Sequence, residues 1–289
     1  MNIIGLSAFF HESACCLLRD GRLVAAAEEE RFTRVKHDPR LPVHSFRYCL
    51  QAGGIGIDEV DVLAYYENPV HKLSRQLWAG IPEGAPGDLP WIDPGQPERA
   101  IREGLGYEGP IRICDHHASH AASAFFFSGF SEAAVLTVDG VGEWATTTYG
   151  SGRGAVLERF EEVEFPHSLG LLYSTLTSYL GFEVNDGEYK VMGLAPYGEP
   201  RFLPEMRRLV TSGPGGQYRI DLSYFDFLRG RRMYSDRLCE LLGAPPRPRG
   251  SEITRFHQDV ARSLQAVLEE ILLEKAEYLH ARTGLSDLC

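Results

Sequence analysis

His116 and His120 are four residues apart in an alanine-rich stretch that predicts a helix. Side chains at this spacing lie on the same helix face, so both imidazoles can face one point. Asp139 follows at the end of an apolar run that predicts a β-strand. Two imidazoles and a carboxylate are a ligand set typical of divalent transition metals. One alternative is a capped helix whose histidines are solvated at the surface. Cys114 is a rival ligand, although such a cysteine is more often a core residue.

His11 stands in a short predicted turn, residues 8–13, between two apolar runs that predict β-strands. In folds of the actin and sugar-kinase type, the first hairpin presents its turn to the nucleotide phosphates, usually through an Asp and a Gly. His11 occupies that place here. A loop histidine more often faces solvent, so its position alone indicates a site only weakly.

Residues 28–39 carry acidic, then basic side chains and end at a proline, a pattern that fits neither a helix stripe nor a strand alternation. We expect a solvated charged loop. Within it, Arg31 and Lys36 are candidates for binding an anionic substrate or nucleotide.

Two further segments could contact an anion. Gly140 and Gly142 follow Asp139, and glycines let backbone N–H groups approach a phosphate closely, although an ordinary hairpin turn has the same composition. Residues 185–198 predict a loop around Lys190, which either pairs with Glu188 or contacts a phosphate or carbamoyl oxygen.

The scaffold contains the same pattern twice: strand, turn, strand, strand. The Asp20-Gly21 pair predicts a type I′ turn in the first copy. A duplicated meander followed by helices predicts an α/β class and a two-lobed actin-like fold. We expect a first lobe over residues 1–131 with an insertion near 68–109. A second, incomplete lobe then covers 132–289 with an insertion near 200–250.

Several amphipathic helices accompany these strands. Their predicted ranges are 42–50, 115–127, 168–180 and 253–280, and Thr283-Gly284 ends the last of them. The sequence stops just inside an apolar run that predicts the next strand. We therefore expect a premature C-terminus and a last helix whose apolar stripe lacks a sheet to cover it.

The composition of the chain excludes several classes of function. The chain has 289 residues and a net charge of −11, which argues against general nucleic-acid binding. No stretch is long and apolar enough for a membrane span, and the N-terminus lacks a signal peptide pattern. Six cysteines form no CxxC pair, so we expect reduced thiols and a cytoplasmic location.

Five segments together resemble the nodulation-factor and antibiotic O-carbamoyltransferase family. They run in the same order along essentially the whole chain and cover residues 4–14, 26–34, 115–120, 139–140 and 188–198. Members have an actin-like domain followed by a domain that makes carbamoyl-adenylate from carbamoyl phosphate and ATP. The first domain transfers the carbamoyl group to a hydroxyl of a sugar or other small molecule.

The resemblance assigns roles to the candidate residues. His116, His120 and Asp139 match the family's iron-binding positions, and His11 matches its active-site histidine. The ligand set suits Fe(II), and Zn(II) or Mn(II) would bind it too. A neutral histidine near the acceptor hydroxyl can take its proton.

The family pattern normally continues beyond Cys289 with a nucleotide-binding turn, a further metal-binding Asp and the adenylate-forming domain. This leaves three interpretations: a carbamoyltransferase domain, a non-catalytic fragment or one half of a split enzyme that needs a second polypeptide, and a metal-dependent hydrolase. We expect the isolated chain to lack transferase activity and to be marginally stable or oligomeric.

Overall fold

A computed structural model describes residues 1–80, 93–228 and 232–289. The chain divides into two compact units, each described below by itself. The first takes in Met1–Gln76 and Pro86–Ser119, and the second Leu77–Ala85 and His120–Cys289, as far as these residues are described. The predicted division after residue 131 remains a prediction, while the α/β class is confirmed by the mixture of helices and sheets.

The first unit contains a five-stranded sheet in the order β3-β2-β1-β4-β5. Its strands are β1 (Asn2–Ser7), β2 (Ala14–Arg19), β3 (Arg22–Glu28), β4 (Val62–Tyr65) and β5 (Ile111–Ile113). Strands β1 to β3 form the predicted antiparallel meander, and β4 and β5 continue the sheet in parallel. Asp20 and Gly21 have φ of 51° and 77°, as the predicted type I′ turn requires.

Helices cover one face of this sheet. Alternate strand residues such as Ile4, Leu6 and Leu63 are buried there with Phe46 of α2 and Ile101 of α4. The unit's helices are α1 (Glu30–Thr33), α2 (Val43–Gly53), α3 (Pro69–Ala79), α4 (Gln96–Leu105) and the first turn of α5 (His116–Phe125). Helices α3 and α4 belong to the segment predicted as an insertion, of which residues 81–92, including Trp91, lie outside the described residues.

The second unit repeats the meander as β6 (Glu132–Val138), β7 (Ala145–Arg153) and β8 (Val156–Glu164), all antiparallel. The last residues of the chain lie alongside β6 in parallel. Ala134 N–H donates to Asp287 O at 2.8 Å, and Cys289 N–H donates to Ala134 O at 2.8 Å. Strand β1 likewise has β2 on one side and the parallel β4 on the other, so both units share this arrangement.

A large core fills the second unit. It includes residues of α6 (Leu169–Tyr179) and of the long α10 (Arg255–Thr283), which Gly284 ends in the left-handed conformation as expected. The uncovered stripe predicted for α10 is wrong, because Val260, Leu264, Val267 and Ile271 are all buried.

The segment near 200–250 forms part of the cover of this helix, together with α6, α7 (Glu188–Leu194) and β6. Its described residues fold into short elements: α8 (Leu203–Leu209), β9 (Val210–Ser212), β10 (Tyr218–Ile220), a 3₁₀ turn (Leu222–Tyr224) and α9 (Asp236–Leu242), while residues 229–231 lie outside the described part. Met206, Tyr218 and Leu238 pack in the same core as α10. The segment is therefore integral to the unit's core.

Residues 185–198 are not the predicted loop. Helix α7 (Glu188–Leu194) is followed directly by a single 3₁₀ turn, Ala195–Tyr197. Val191 and Ala195, four apart, are buried in the core and explain why the segment is helical. Among the described residues, no helix is both long and apolar enough to cross a membrane.

Candidate functional site

Helix α5 and the end of strand β6 bring three possible metal ligands together. One ligand atom each from His116, His120 and Asp139 lies within 4.8 Å of the others. His120 Nε2 is 3.6 Å from Asp139 Oδ2, and about half of the His120 side chain is exposed. This geometry can hold a cation that remains open to a small molecule.

The start of helix α5 is firmly fixed. The Asp115 carboxylate accepts a hydrogen bond from Ala118 N–H at 2.8 Å, which caps the helix. Ser119 Oγ lies 3.0 Å from Asp115 O and 3.3 Å from Tyr66 O, just after β4. The Tyr66 ring also meets the His116 ring edge to face at 5.5 Å between centroids. His116 is therefore held by contacts at the ends of two sheet strands.

The turn that carries Asp139 is fixed by the first residues of α6. Ser168 Oγ lies 2.6 Å from Gly140 O and 3.1 Å from Asp139 O, and it also accepts a hydrogen bond from Leu171 N–H. A Cβ added to Gly170 would lie 2.5 Å from Gly140 N, so the two backbones are in direct contact. Asp139 is thus positioned by main-chain packing.

The two candidate anion-binding glycines have defined places in this turn. Gly140 N–H donates to Asp139 Oδ1 at 2.6 Å, and Gly142 N–H donates to Ala145 O at 3.0 Å. Both amides therefore make hydrogen bonds within the turn, the contacts expected of an ordinary hairpin. Their predicted contact with a nucleotide would have to replace or share these bonds.

His11 lies in an exposed turn and contacts a neighbouring carboxylate. Its Nδ1 is 2.7 Å from Glu12 Oε2, and His37 Nδ1 is 2.6 Å from Glu12 Oε1. Partial burial favours protonation of the Glu12 carboxyl, but hydrogen bonds from His11 and His37 outweigh it and lower its pKa. Glu12 and His37 were not predicted from the sequence as partners of His11. The position of a carboxylate directly after a turn histidine was the signal that could have indicated Glu12.

The prediction of a solvated charged loop over residues 28–39 is wrong. Glu29 is 2% exposed, and Asp38 is completely buried. Asp38 accepts hydrogen bonds from Arg40 Nε at 2.8 Å and from a terminal guanidinium nitrogen of Arg40 at 2.6 Å. These bonds hold the pKa of Asp38 well below its usual range, although burial opposes them. The segment is a hydrogen-bonded part of the fold.

Arg31 and Lys36 lie in this segment. Both Nε and a terminal nitrogen of Arg31 donate to Glu28 Oε2, at 2.9 and 2.7 Å. This ion pair lines a cavity of about 620 Å³ in the first unit, over the sheet face that carries small residues such as Gly5 and Ala14. Lys36 is exposed.

Lys190 lies on α7, where its partner differs from the one predicted. Its Nζ is 3.1 Å from Asp186 Oδ2 and 5.4 Å from the centre of the Tyr189 ring. Glu188 instead accepts hydrogen bonds from Ser174 Oγ and Asn185 N–H. The expected Lys190–Glu188 pair is therefore wrong, and the phosphate contact stays a prediction.

Comparisons with known proteins agree on one family. The family model described as Carbamoyltransferase N-terminus matches residues 2–83 and 105–289. An uncharacterised protein of Synechocystis sp. is 42% identical over 100% of this chain and 50% of its own length. Nodulation protein NolNO of Sinorhizobium fredii is 34% identical over 98% of this chain and 40% of its own length. This chain therefore spans about half the length of these relatives or less.

A comparison with solved structures matches a ROK hexokinase from Thermus thermophilus over 100% of this chain and 80% of that one, with a TM-score of 0.40 and 14% identity.

Proposed function

Because the chain belongs to the carbamoyltransferase family and matches its N-terminal part, we propose that it transfers a carbamoyl group from carbamoyl-adenylate to a hydroxyl of a small-molecule acceptor. In this reaction the acceptor oxygen forms a bond to the carbamoyl carbon. The bond from that carbon to the adenylate phosphate oxygen breaks, and AMP leaves with the electron pair. Carbamoyl phosphate and ATP are the precursors that the family resemblance implies.

The cluster of His116, His120 and Asp139 is the observation that most directly supports this proposal. Two imidazoles and a carboxylate fit a divalent transition metal, and we propose Fe(II), with Zn(II) or Mn(II) as alternatives of the same ligand preference. A metal held there would offset negative charge on a phosphate or carbamoyl oxygen. The exposed half of His120 leaves room for such a ligand.

We assign His11 the role of the base that takes the proton from the acceptor hydroxyl. A well-placed imidazole contributes about 10²–10⁴-fold to the rate of such a step. Four residues remain candidates for binding the anionic donor: Arg31, Lys36, Gly140 and Gly142. Lys190 is a fifth candidate, whose ammonium group would have to contact the donor while it also pairs with Asp186.

On this proposal, the whole reaction also requires the adenylate-forming part that the family resemblance implies. The relatives are about twice as long or longer, and the resemblance places adenylate formation in the part that this chain does not cover. We therefore propose that the remainder, in the same or a second polypeptide, must be supplied for transfer.

The test combines the purified chain with carbamoyl phosphate, ATP and a panel of aminoglycoside and nodulation-factor acceptors. Each mixture is prepared with and without a polypeptide that carries the remaining half of a relative. We expect carbamoylated acceptor from the combined proteins and a rate at least about 10²-fold lower after His11→Ala, while His71→Ala, an exposed control, keeps the activity. Release of free carbamate without any modified acceptor would favour the hydrolase alternative. Multiple turnovers by the chain alone would contradict the requirement for a second half.

A further inference from the structure

Glu12 joins two imidazoles through one carboxylate. Each of its oxygens contacts a different ring nitrogen, Oε2 that of His11 at 2.7 Å and Oε1 that of His37 at 2.6 Å. The three side chains are between 30% and 42% exposed, so the group lies at the surface of the first unit and within reach of small molecules. It lies apart in the sequence from the candidate metal ligands.

The chemistry of the carboxylate fixes the positions of the protons. An ionised carboxylate only accepts hydrogen bonds, so the Nδ1 atom of each imidazole must carry the hydrogen in its bond to Glu12. A neutral imidazole has one N–H and one acceptor nitrogen. In neutral His11, Nε2 is therefore the nitrogen that can take a proton. A carboxylate that orients a histidine in this way is a recurring feature of hydrolytic triads.

The backbone at and around the His11–Glu12–His37 group is strained. Phe9, Glu12 and His37 have φ of 70°, 44° and 54°, in the left-handed region that non-glycine residues seldom adopt. Such conformations are strained and persist only where the surroundings determine them. They concentrate at functional sites, and here all three belong to the His11 turn or to the residue that contacts Glu12.

Two backbone hydrogen bonds and one carboxylate hold these conformations. Phe9 N–H donates to Pro39 O at 2.7 Å, and Ser13 N–H donates to Asp38 O at 2.9 Å. His37 N–H donates to Glu30 Oε2 at 2.8 Å. The charged segment thus holds the His11 turn near both of its ends.

From this geometry we propose that Glu12 is a positioning residue, which holds His11 in the tautomer whose Nε2 accepts the proton of the acceptor hydroxyl, with His37 fixing the carboxylate from its other side. The inference rests on the proposed role of His11 as the base. Glu12 acts through His11 and needs no contact with either substrate. Removal of Glu12 should therefore lower kcat more than it changes KM for the acceptor.

The first test measures the tautomer directly and needs no activity. Ring ¹⁵N NMR of the full chain labelled at histidine, with His11 assigned by comparison with His11→Ala, shows which nitrogen carries the hydrogen. We expect Nδ1–H in the wild type and in Glu12→Asp, and loss of this fixed tautomer in Glu12→Ala. Glu158→Ala, which removes the same charge from an exposed position on β8, serves as the matched control. An unchanged His11 tautomer in a folded Glu12→Ala protein would overturn the proposal.

The second test uses the transfer assay with the complementing half present. We expect Glu12→Ala to lower kcat by about 10²-fold, within the range of a single acid–base contribution, and Glu12→Asp to recover part of it. Because Glu12 acts through His11, the double variant His11→Ala/Glu12→Ala should be no slower than His11→Ala. Additive losses would contradict a positioning role. Full activity of His11→Ala would instead refute the proposed role of His11 as the base, and the absence of transfer by the wild type would refute the proposed function. The NMR experiment tests the tautomer without any activity.

Discussion

The Glu29 carboxylate accepts two hydrogen bonds from Ser45, from its backbone N–H at 2.8 Å and its hydroxyl at 2.7 Å. Glu29 also accepts the backbone N–H of His44 at 3.0 Å. These donors belong to the first turn of α2, where N–H groups have no partner within the helix. Burial works against the charged form, yet the bonds from Ser45 and His44 lower the pKa of Glu29. The buried carboxylate of Glu29 therefore links the end of β3 to helix α2.

Glu29→Ala should destabilise the protein by about 3 kcal/mol, because it leaves the buried donors of Ser45 unpaired and removes a favourable helix–charge interaction. Urea unfolding followed by circular dichroism measures this loss. Glu158→Ala should stay within about 0.5 kcal/mol of the wild type, as for other exposed sites. Equal stability of the two variants would contradict the structural role of Glu29.

Asp38 should give the protein a distinct acid sensitivity. The pKa of its carboxyl is depressed in the folded state, so the unfolded chain binds more protons just below the ordinary aspartate value of about 3.9. Its stabilisation is fully present above that pH and is lost as the pH falls toward the folded-state pKa. Stability of the wild type should therefore fall more steeply between pH 5 and about pH 3 than that of Asp38→Asn. Parallel pH profiles would rule out this contribution.

His120→Ala should weaken metal binding by at least about tenfold, since loss of a ligand should cost no less than the 10–100-fold typical of its outer partners. Affinity for Fe(II) and Zn(II) is measured by anaerobic titration of the metal-free chain. His71→Ala removes an exposed histidine of α3 and should leave the affinity unchanged. The site assignment fails if both variants bind like the wild type.

Gly170→Ala should weaken the same metal site without removing a ligand. The added Cβ would lie 2.6 Å from Asp139 O, so that α6 and the Asp139 turn must move apart to accommodate it. We expect a loss of about tenfold in affinity, comparable to other outer-partner changes. Gly193→Ala has open space around its Cβ and is the matched control. Wild-type affinity of a folded Gly170→Ala protein would show that the turn does not position Asp139.

Gly198→Ala should destabilise the second unit by at least about 2 kcal/mol, because its Cβ would meet the Gln258 carbonyl oxygen of α10 at 2.0 Å. Gly193 lies in the same motif but within helix α7, where alanine is favoured over glycine by about 1 kcal/mol. Thermal melting of the two variants should therefore move in opposite directions. A shared direction would mean that the contact with Gln258 can relax.

Local patterns were enough to predict the parts of the fold that depend on nearby residues. The first hairpin follows from Asp20-Gly21, and the joint face of His116 and His120 follows from helical spacing. The closeness of Asp139 to His120 depends on how helix α5 packs beside the end of β6. A carboxylate at a strand end only suggests this arrangement.

Long-range partners account for what the sequence did not reveal. Glu29 looks like a solvated charge until Ser45, 16 residues further along the chain, is placed beside it. Part of the cover of α10 comes from a segment whose Arg and Pro content resembles that of a surface insertion. Helix α7 was missed because its glycine and the nearby Pro196 are typical of loops, whereas burial of Val191 decides its conformation.

The repeated meander has a consequence for how this architecture can vary. The residues after β1 hold an imidazole paired with a carboxylate, whereas the residues after β6 hold a carboxylate beside the histidines of α5. These are equivalent positions of two copies of one structural unit, each with its own strand register and its own bracing contacts. The proposed cation site and the proposed base therefore rest on different residues, so that each can be altered by substitutions that leave the side chains of the other in place.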